Sequence, residues 1–225
     1  MKFITSDLHF NHKNILKYSP KRLDKIKEYA NQHNIELTDE NKVDTMNKWL
    51  IDIWNTQVVN HYDDVYVLGD LVFGNAEEMI KILRQLNGKI HLILGNHDFK
   101  SKILLENGVI ESVTQIKTLE IKDNFFDSDE PTKYTFELCH FPMMAWKCKE
   151  HGSIHLHGHC HGTMDKINEF LNENRVDIGI DSSLGNYRLL TFFDVMDYFQ
   201  SKKAISFGSI PIETLIDKNI SNIKL

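Results

Sequence analysis

Short runs of β-branched and aromatic residues punctuate this chain, and most of them end on an Asp, an Asn or a His. The runs are Lys2–Ser6, Val65–Leu68, Ile90–Leu94, Tyr134–Cys139, Ile154–His157, Val176–Ile180 and Leu189–Phe193. Their length and composition read as strands. Between them lie helical patterns. Val43, Met46, Leu50, Ile53 and Trp54 share one face behind Thr38 as expected cap, and Met79, Leu83 and Leu86 share another behind Asn75-Ala76-Glu77-Glu78, which has capping-box spacing. Strands alternating with helices predict an α/β fold. In open α/β sheets the ligand crevice lies beyond the carboxyl ends of the strands, where Asp7, Asp70 and Asn96 fall.

The residue types at those ends share one chemistry. Asp7-Leu8-His9, Gly69-Asp70, Gly95-Asn96-His97-Asp98, His140 and His157-Gly158-His159-Cys160-His161 supply carboxylates, imidazoles and one amide oxygen. Such donors suit Mn, Fe, Zn or Ni, with Mg also compatible. Asp7 and His9 stand two apart after an extended segment, so the pleat is expected to point both to one side, and His159 and His161 repeat that spacing. Asp70 is placed to bridge two cations, with Gly69 allowing close approach. Asn96 offers a neutral oxygen, while His97 is left free and Asp98 is expected to orient its ring. Two divalent ions held close together form a clamp for in-line attack on phosphorus, so the pattern predicts a phosphoester hydrolase. His33, His61, His91 and His151 read as ordinary surface or hydrogen-bonded histidines, His157 as a supporting strand residue, and Cys160 as structural.

At 225 residues, with 41% apolar and 26% charged content, one domain over residues 1–225 is expected, with a helical lobe at 11–62. The net charge of −6 argues against broad nucleic-acid binding. The cysteines, 3 in number, show no Cys-x-x-Cys spacing, so neither a disulfide framework nor a zinc knuckle is signalled. No run reaches membrane-spanning length and no export segment is evident, which together predict a cytoplasmic protein without a membrane partner. Asp123–Glu130 reads as a solvated acidic loop or hairpin tip, and residues from Ser201 through Gly208, Pro211, Ile212, Leu215 and Ile216 as a peripheral strand and helix.

In combination, Asp-x-His, Gly-Asp, Gly-Asn-His-Asp, His and Gly-His-x-His resemble the calcineurin-like metallophosphoesterase superfamily, over Asp7 to His161. The resemblance implies a four-layer α/β/β/α sandwich of two mixed sheets. It implies that Asp7, His9, Asp70 and His161 hold one metal and Asp70, Asn96, His140 and His159 the other, with His97 donating to the leaving oxygen. It further implies that a water bridging the two ions, deprotonated near neutral pH, is the nucleophile. Asp177-Ile178-Gly179-Ile180-Asp181 is similar to the Asn-x-Gly-x-Asp segment of small bacterial and phage members, with Asp177 in place of Asn.

Departures bear on substrate. Gly69-Asp70-Leu71-Val72-Phe73-Gly74 lacks the Arg that follows in protein phosphatases, which makes that activity unexpected. Phe10-Asn11-His12-Lys13-Asn14-Ile15 offers His12 and then Asn14 to a phosphoryl group, Lys13 reading as a solvated charge, and Arg188 is a further candidate contact. The expected substrate is a small-molecule or nucleotide phosphodiester. The alternatives are a phosphomonoesterase or nucleotidase, a nuclease acting on ends or single strands, and, outside catalysis, a metal-binding scaffold.

Overall fold

A computed structural model describes residues 1–125, 131–171 and 173–203. Of the acidic segment Asp123–Glu130, residues 126–130 lie outside them, as does the C-terminal pattern after 203. The described chain is mixed α/β, with two mixed sheets. In the first sheet β1 (Lys2–Thr5), β2 (Asp64–Val67), β3 (Lys89–Ile93) and β4 (Ser112–Thr114) run parallel, and β9 (Leu190–Thr191) pairs antiparallel with β1. The second orders β5 (Ile116–Asp123), β6 (Thr132–Cys139), β7 (Ile154–His157) and β8 (Arg175–Asp177), antiparallel at β5–β6 and parallel thereafter.

Side-chain alternation sorts the first sheet into two faces. Phe3, Val65, Val67, Ile90 and Leu92 join one buried cluster with Ile26, Met46, Leu50 and Trp54 from the helices. Ile4, Tyr66 and Ile93 join the other, with Phe136, Leu138, Ile154, Leu156 and Val176 from the second sheet. Period-two alternation therefore packs one sheet face on helices and the other on the partner sheet.

The segment between β1 and β2 forms α1 (Ile15–Tyr18), α2 (Pro20–Gln32) and α3 (Lys42–Gln57). Their apolar faces enter the same cluster as β1 and β2, so they are part of the main core. Pro20 opens α2, where its missing N–H costs nothing. In α3 the cap is Asn41 rather than the expected Thr38. Thr38 and Asn41 instead exchange reciprocal side-chain bonds one turn upstream (2.8 and 3.3 Å). Helix α4 (Ala76–Leu83) carries both bonds of the capping box between Asn75 and Glu78, each 3.0 Å. Helices α5 (Ser101–Glu106), α6 (Asp165–Leu171) and α7 (Phe192–Lys203), with one 3-10 turn at Lys149–His151, complete the described elements.

Two strands fall outside the expected runs, β4 because it has three residues and β5 because it is a half-exposed edge. The expected strand Val176–Ile180 stops at Asp177, after which Gly179 bridges to Ser6 and ties the two sheets together beside Asp7. The last expected run is cut short because α7 begins at Phe192. The cysteines Cys139, Cys148 and Cys160 are free. Among the described residues no helix is long and apolar enough to cross a membrane.

Candidate metal centre

The loops after β1 and β2 are zipped together by backbone bonds. Asp7 N–H donates to Gly69 O (3.1 Å), His9 N–H to Asp70 O (2.9 Å) and Phe10 N–H to Leu71 O (3.0 Å). The site also takes conformations that strand geometry does not supply. Asp7, His9, Asp70, His159 and His161 all have positive φ, between 48° and 70°. The expected pleat is therefore not what aligns Asp7 with His9 or His159 with His161. Left-handed turns do so, each at a cost of roughly 1–2 kcal/mol, the kind of strain that clusters at functional sites.

Asp7, His9 and His161 present donor atoms within 4.8 Å of one another, and so do Asp7, Asp70 and His140. His9 Nε2 is 3.9 Å from Asp7 Oδ1 and 3.6 Å from Asp70 Oδ2, and His161 Nε2 is 3.8 Å from Asp7 Oδ1. On the other side His140 Nε2 is 3.8 Å from Asp70 Oδ1, 3.0 Å from Asn96 Oδ1 and 3.2 Å from His159 Nδ1. Two atoms bound to one ion at about 2.1 Å stand about 3–3.5 Å apart, close to these spacings. All seven expected ligands thus gather in one place, and Asp70 directs one oxygen to each half.

The donor set also fits a cation electrostatically. Asp7 Oδ1 and His9 Nε2 are buried with no hydrogen-bond partner, which is costly unless a further group satisfies them. His140 donates Nδ1–H to Leu68 O (2.7 Å), which fixes its ring so that Nε2 is the atom turned toward Asn96 Oδ1 and His159 Nδ1. Burial, with the nearby Arg22 and His161 charges, holds His9 well below the usual imidazole range and so in its neutral, ligating form. Burial likewise raises Asp7. Glycines admit the close approach. A Cβ at Gly69 would meet the His140 ring and Gly95, and one at Gly158 would collide with Ser6 and Asp7.

Supporting groups fix this arrangement. Asp7 Oδ2 accepts His159 N–H (2.9 Å). The wholly buried Arg22 donates to Leu8 O and Asp7 O (both 2.8 Å) and to Asp181 Oδ1 (2.7 Å). Asp181 Oδ2 in turn accepts His161 Nδ1–H (2.9 Å). Burial opposes the charge on Asp181, but Arg22 and His161 outweigh it and hold its carboxyl below the usual range. Asp177 accepts the Gly179 and Gly162 amides (2.8 and 3.0 Å), and burial with the Asp7 charge pushes it up to about 7, toward the neutral side chain an Asn would present. Arg22 escaped the sequence reading because Lys21-Arg22 looks like surface charge. Its signal was the four-residue spacing Arg22, Ile26, Ala30, all on the buried stripe of α2.

The remaining expected residues are placed differently. Asp98 does not pair with His97: its oxygens accept the amides of Gly95 (2.7 Å), Asp70 (2.9 Å) and Leu71 (3.2 Å), tying the second motif to the third. The His97 side chain is 41% exposed, with Nε2 3.9 Å from Asp70 Oδ2 and its ring 5.1 Å from Phe73. His12 bonds His9 through Nδ1 (3.1 Å) and stacks on Phe73 at 4.0 Å, which puts it at the centre's edge. Asn14 is exposed at the head of α1, with no side-chain cap bond. Arg188 is engaged by Asp194 in the first turn of α7, whose Oδ1 accepts from its guanidinium at 2.8 Å.

No family model matches the chain. It is 28% identical over 208 residues to an uncharacterized protein of Methanocaldococcus jannaschii, MJ1445, covering 90% of this chain and 93% of that one. Among solved structures it resembles the protein of unknown function AQ665 from Aquifex aeolicus, with a TM-score of 0.58 and 19% identity over 88% of this chain and 98% of that one. The structural likeness supports the shared fold.

Proposed function

We propose that this protein is a metal-dependent phosphoesterase of the calcineurin-like kind, built as a four-layer α/β/β/α sandwich, that hydrolyses a phosphodiester. The observation that carries the reading is Asp70, whose Oδ2 faces His9 (3.6 Å) and whose Oδ1 faces His140 (3.8 Å). Asp7, His9, Asp70 and His161 would hold one divalent ion, and Asp70, Asn96, His140 and His159 a second, Mn foremost. Such ions would supply an activated water and positive charge against the phosphoryl oxygens.

The chain's own residues account for the rest. His97, near Asp70 yet open to solvent, would donate a proton to a leaving oxygen. His12, bonded to His9, and Phe73 beneath it border the same face. A preference for a monoanionic diester is supported by how Arg22, Arg188 and Lys100 are engaged within the protein. Arg22 is spent on carbonyls and Asp181, Arg188 on Asp194 and Lys100 on Gly74 O (2.5 Å), so among the described residues these side chains do not clamp a terminal dianion.

The test is hydrolysis of bis-p-nitrophenyl phosphate and p-nitrophenyl phosphate with added Mn, alongside metal content. Two ions per chain and faster diester turnover are expected. Turnover of neither ester by metal-loaded protein leaves the scaffold reading in its place.

A further inference from the structure

Directly after His140 the chain runs Phe141-Pro142-Met143-Met144-Ala145-Trp146, an unbroken apolar segment on a loop. The second sheet holds it from beneath. His155 accepts Met143 N–H at Nε2 (3.1 Å) while donating Nδ1–H to Glu137 O (2.9 Å), and Arg175 donates to Met143 O (2.9 Å). Both side chains are buried. On this anchored backbone Phe141 is 43% and Met144 63% exposed. Large apolar side chains held in water on an immobilised segment mark a binding surface rather than a frayed core.

The position of Phe141 says what is bound. Its ring stands across two expected ligands, 4.8 Å from His140 at 80° and 4.9 Å from His159 at 61°. The opposite flank is also aromatic, with Phe73 parallel to His12 (4.0 Å, 6°) and tilted to His97 (5.1 Å). A diester seated between these flanks lays an ester arm over each. The arm over Phe141 meets no charged or hydroxyl side chain from residues 141–146, and the Trp146 indole N–H is already given to Ser153 O (3.2 Å). A charged or sugar-like group there would lose its hydration unpaired, whereas a planar ring stacks.

We propose that Phe141 is the platform for a nucleobase, so that the substrate is a nucleotidyl phosphodiester and Phe141 sets its specificity. This rests on the phosphodiesterase reading above. The test compares methyl, octyl and thymidine 5′-linked p-nitrophenyl phosphodiesters on Mn-loaded protein, all releasing p-nitrophenolate. The thymidyl ester is expected to have the highest kcat/KM. Phe141→Ala should lower the thymidyl-to-methyl ratio about tenfold, and Phe141→Trp should restore it. Melting temperatures check that the exposed substitutions leave the fold intact. An unchanged ratio in Phe141→Ala overturns the platform while leaving the diesterase reading standing. An octyl ester favoured as much as the thymidyl one overturns the nucleobase in favour of a plain apolar arm. Turnover of none of the three overturns the diesterase reading and the platform together.

Discussion

Arg22 and Asp181, 159 positions apart, form a buried ion pair at 2.7 Å whose other contacts reach two residues of one half of the candidate metal centre, Asp7 and His161. Through Arg22 the pair grips the Asp7 and Leu8 carbonyls, and through Asp181 it orients His161. Asp181→Asn leaves the guanidinium buried without its counter-charge. It should cost roughly 3–5 kcal/mol in urea unfolding and weaken Mn binding about 10–100-fold by calorimetry. Stability and affinity both within error of the parent would show that the pair braces nothing.

Asp70→Asn removes the carboxylate that faces both halves of the centre. Bound Mn is expected to fall from two ions per chain toward one. Diester turnover should drop by more than the roughly 100-fold limit typical of a supporting residue. Full occupancy with normal turnover would exclude Asp70 as the bridge.

His97 and Asp98 are neighbours in sequence with separate roles, and substitution should separate them. His97→Ala should keep both ions and lose about 10²–10⁴ in rate for alkoxide leaving groups, with less loss for nitrophenolate. Asp98→Asn disturbs three backbone N–H acceptances in a buried loop. It should cost roughly 2–4 kcal/mol of stability, with no change in leaving-group dependence. A steeper leaving-group dependence in Asp98→Asn would restore a direct partnership with His97.

His155 gives the fold an acid-sensitive joint. Burial lowers its pKa from 6.5 to about 4, outweighing the Glu137 and Phe141 carbonyls beside its ring nitrogens, which favour the protonated form. Above pH 6.5 neither state is protonated there. Below it the unfolded chain takes up a proton that the folded one refuses, so this contribution is lost as pH falls from 6.5 to about 4. Between pH 7 and 5 the loss should be about 2 kcal/mol, measured by urea unfolding, and His155→Gln should lack it. Parallel pH profiles for parent and variant would contradict this assignment.

Metal binding should stabilise the folded chain, because the ligands meet only there. At 100 times its Kd one Mn site adds about 2.7 kcal/mol, so the melting temperature should climb with Mn and return with EDTA. A melting temperature indifferent to both would count against the centre.

Much of the local structure was legible in the sequence. Strand runs ending on Asp7, Asp70 and Asn96 showed where the chain turns, and Asn75 with Glu78 showed where α4 begins. Thr38 misled because a cap depends on which oxygen faces the first free amides, and the reciprocal bond to Asn41 spends Thr38 one turn early. Arg188 misled for a similar reason, its partner Asp194 belonging to a helix the run Leu189–Phe193 disguised as strand.

Residue types, their spacing and their apolar periodicity were set by the sequence alone, because these reflect how each short segment divides between water and core. The tertiary structure decided which distant groups meet: Arg22 with Asp181, Asp98 with the amides of Asp70 and Leu71, and Phe141 with His140 and His159. It also imposed the left-handed backbone at Asp7, His9 and Asp70. Asp and His tolerate that conformation better than most side chains, but tolerance alone does not select it. Bonds between the β1 and β2 loops hold it in place, and they exist only once the sheet has formed.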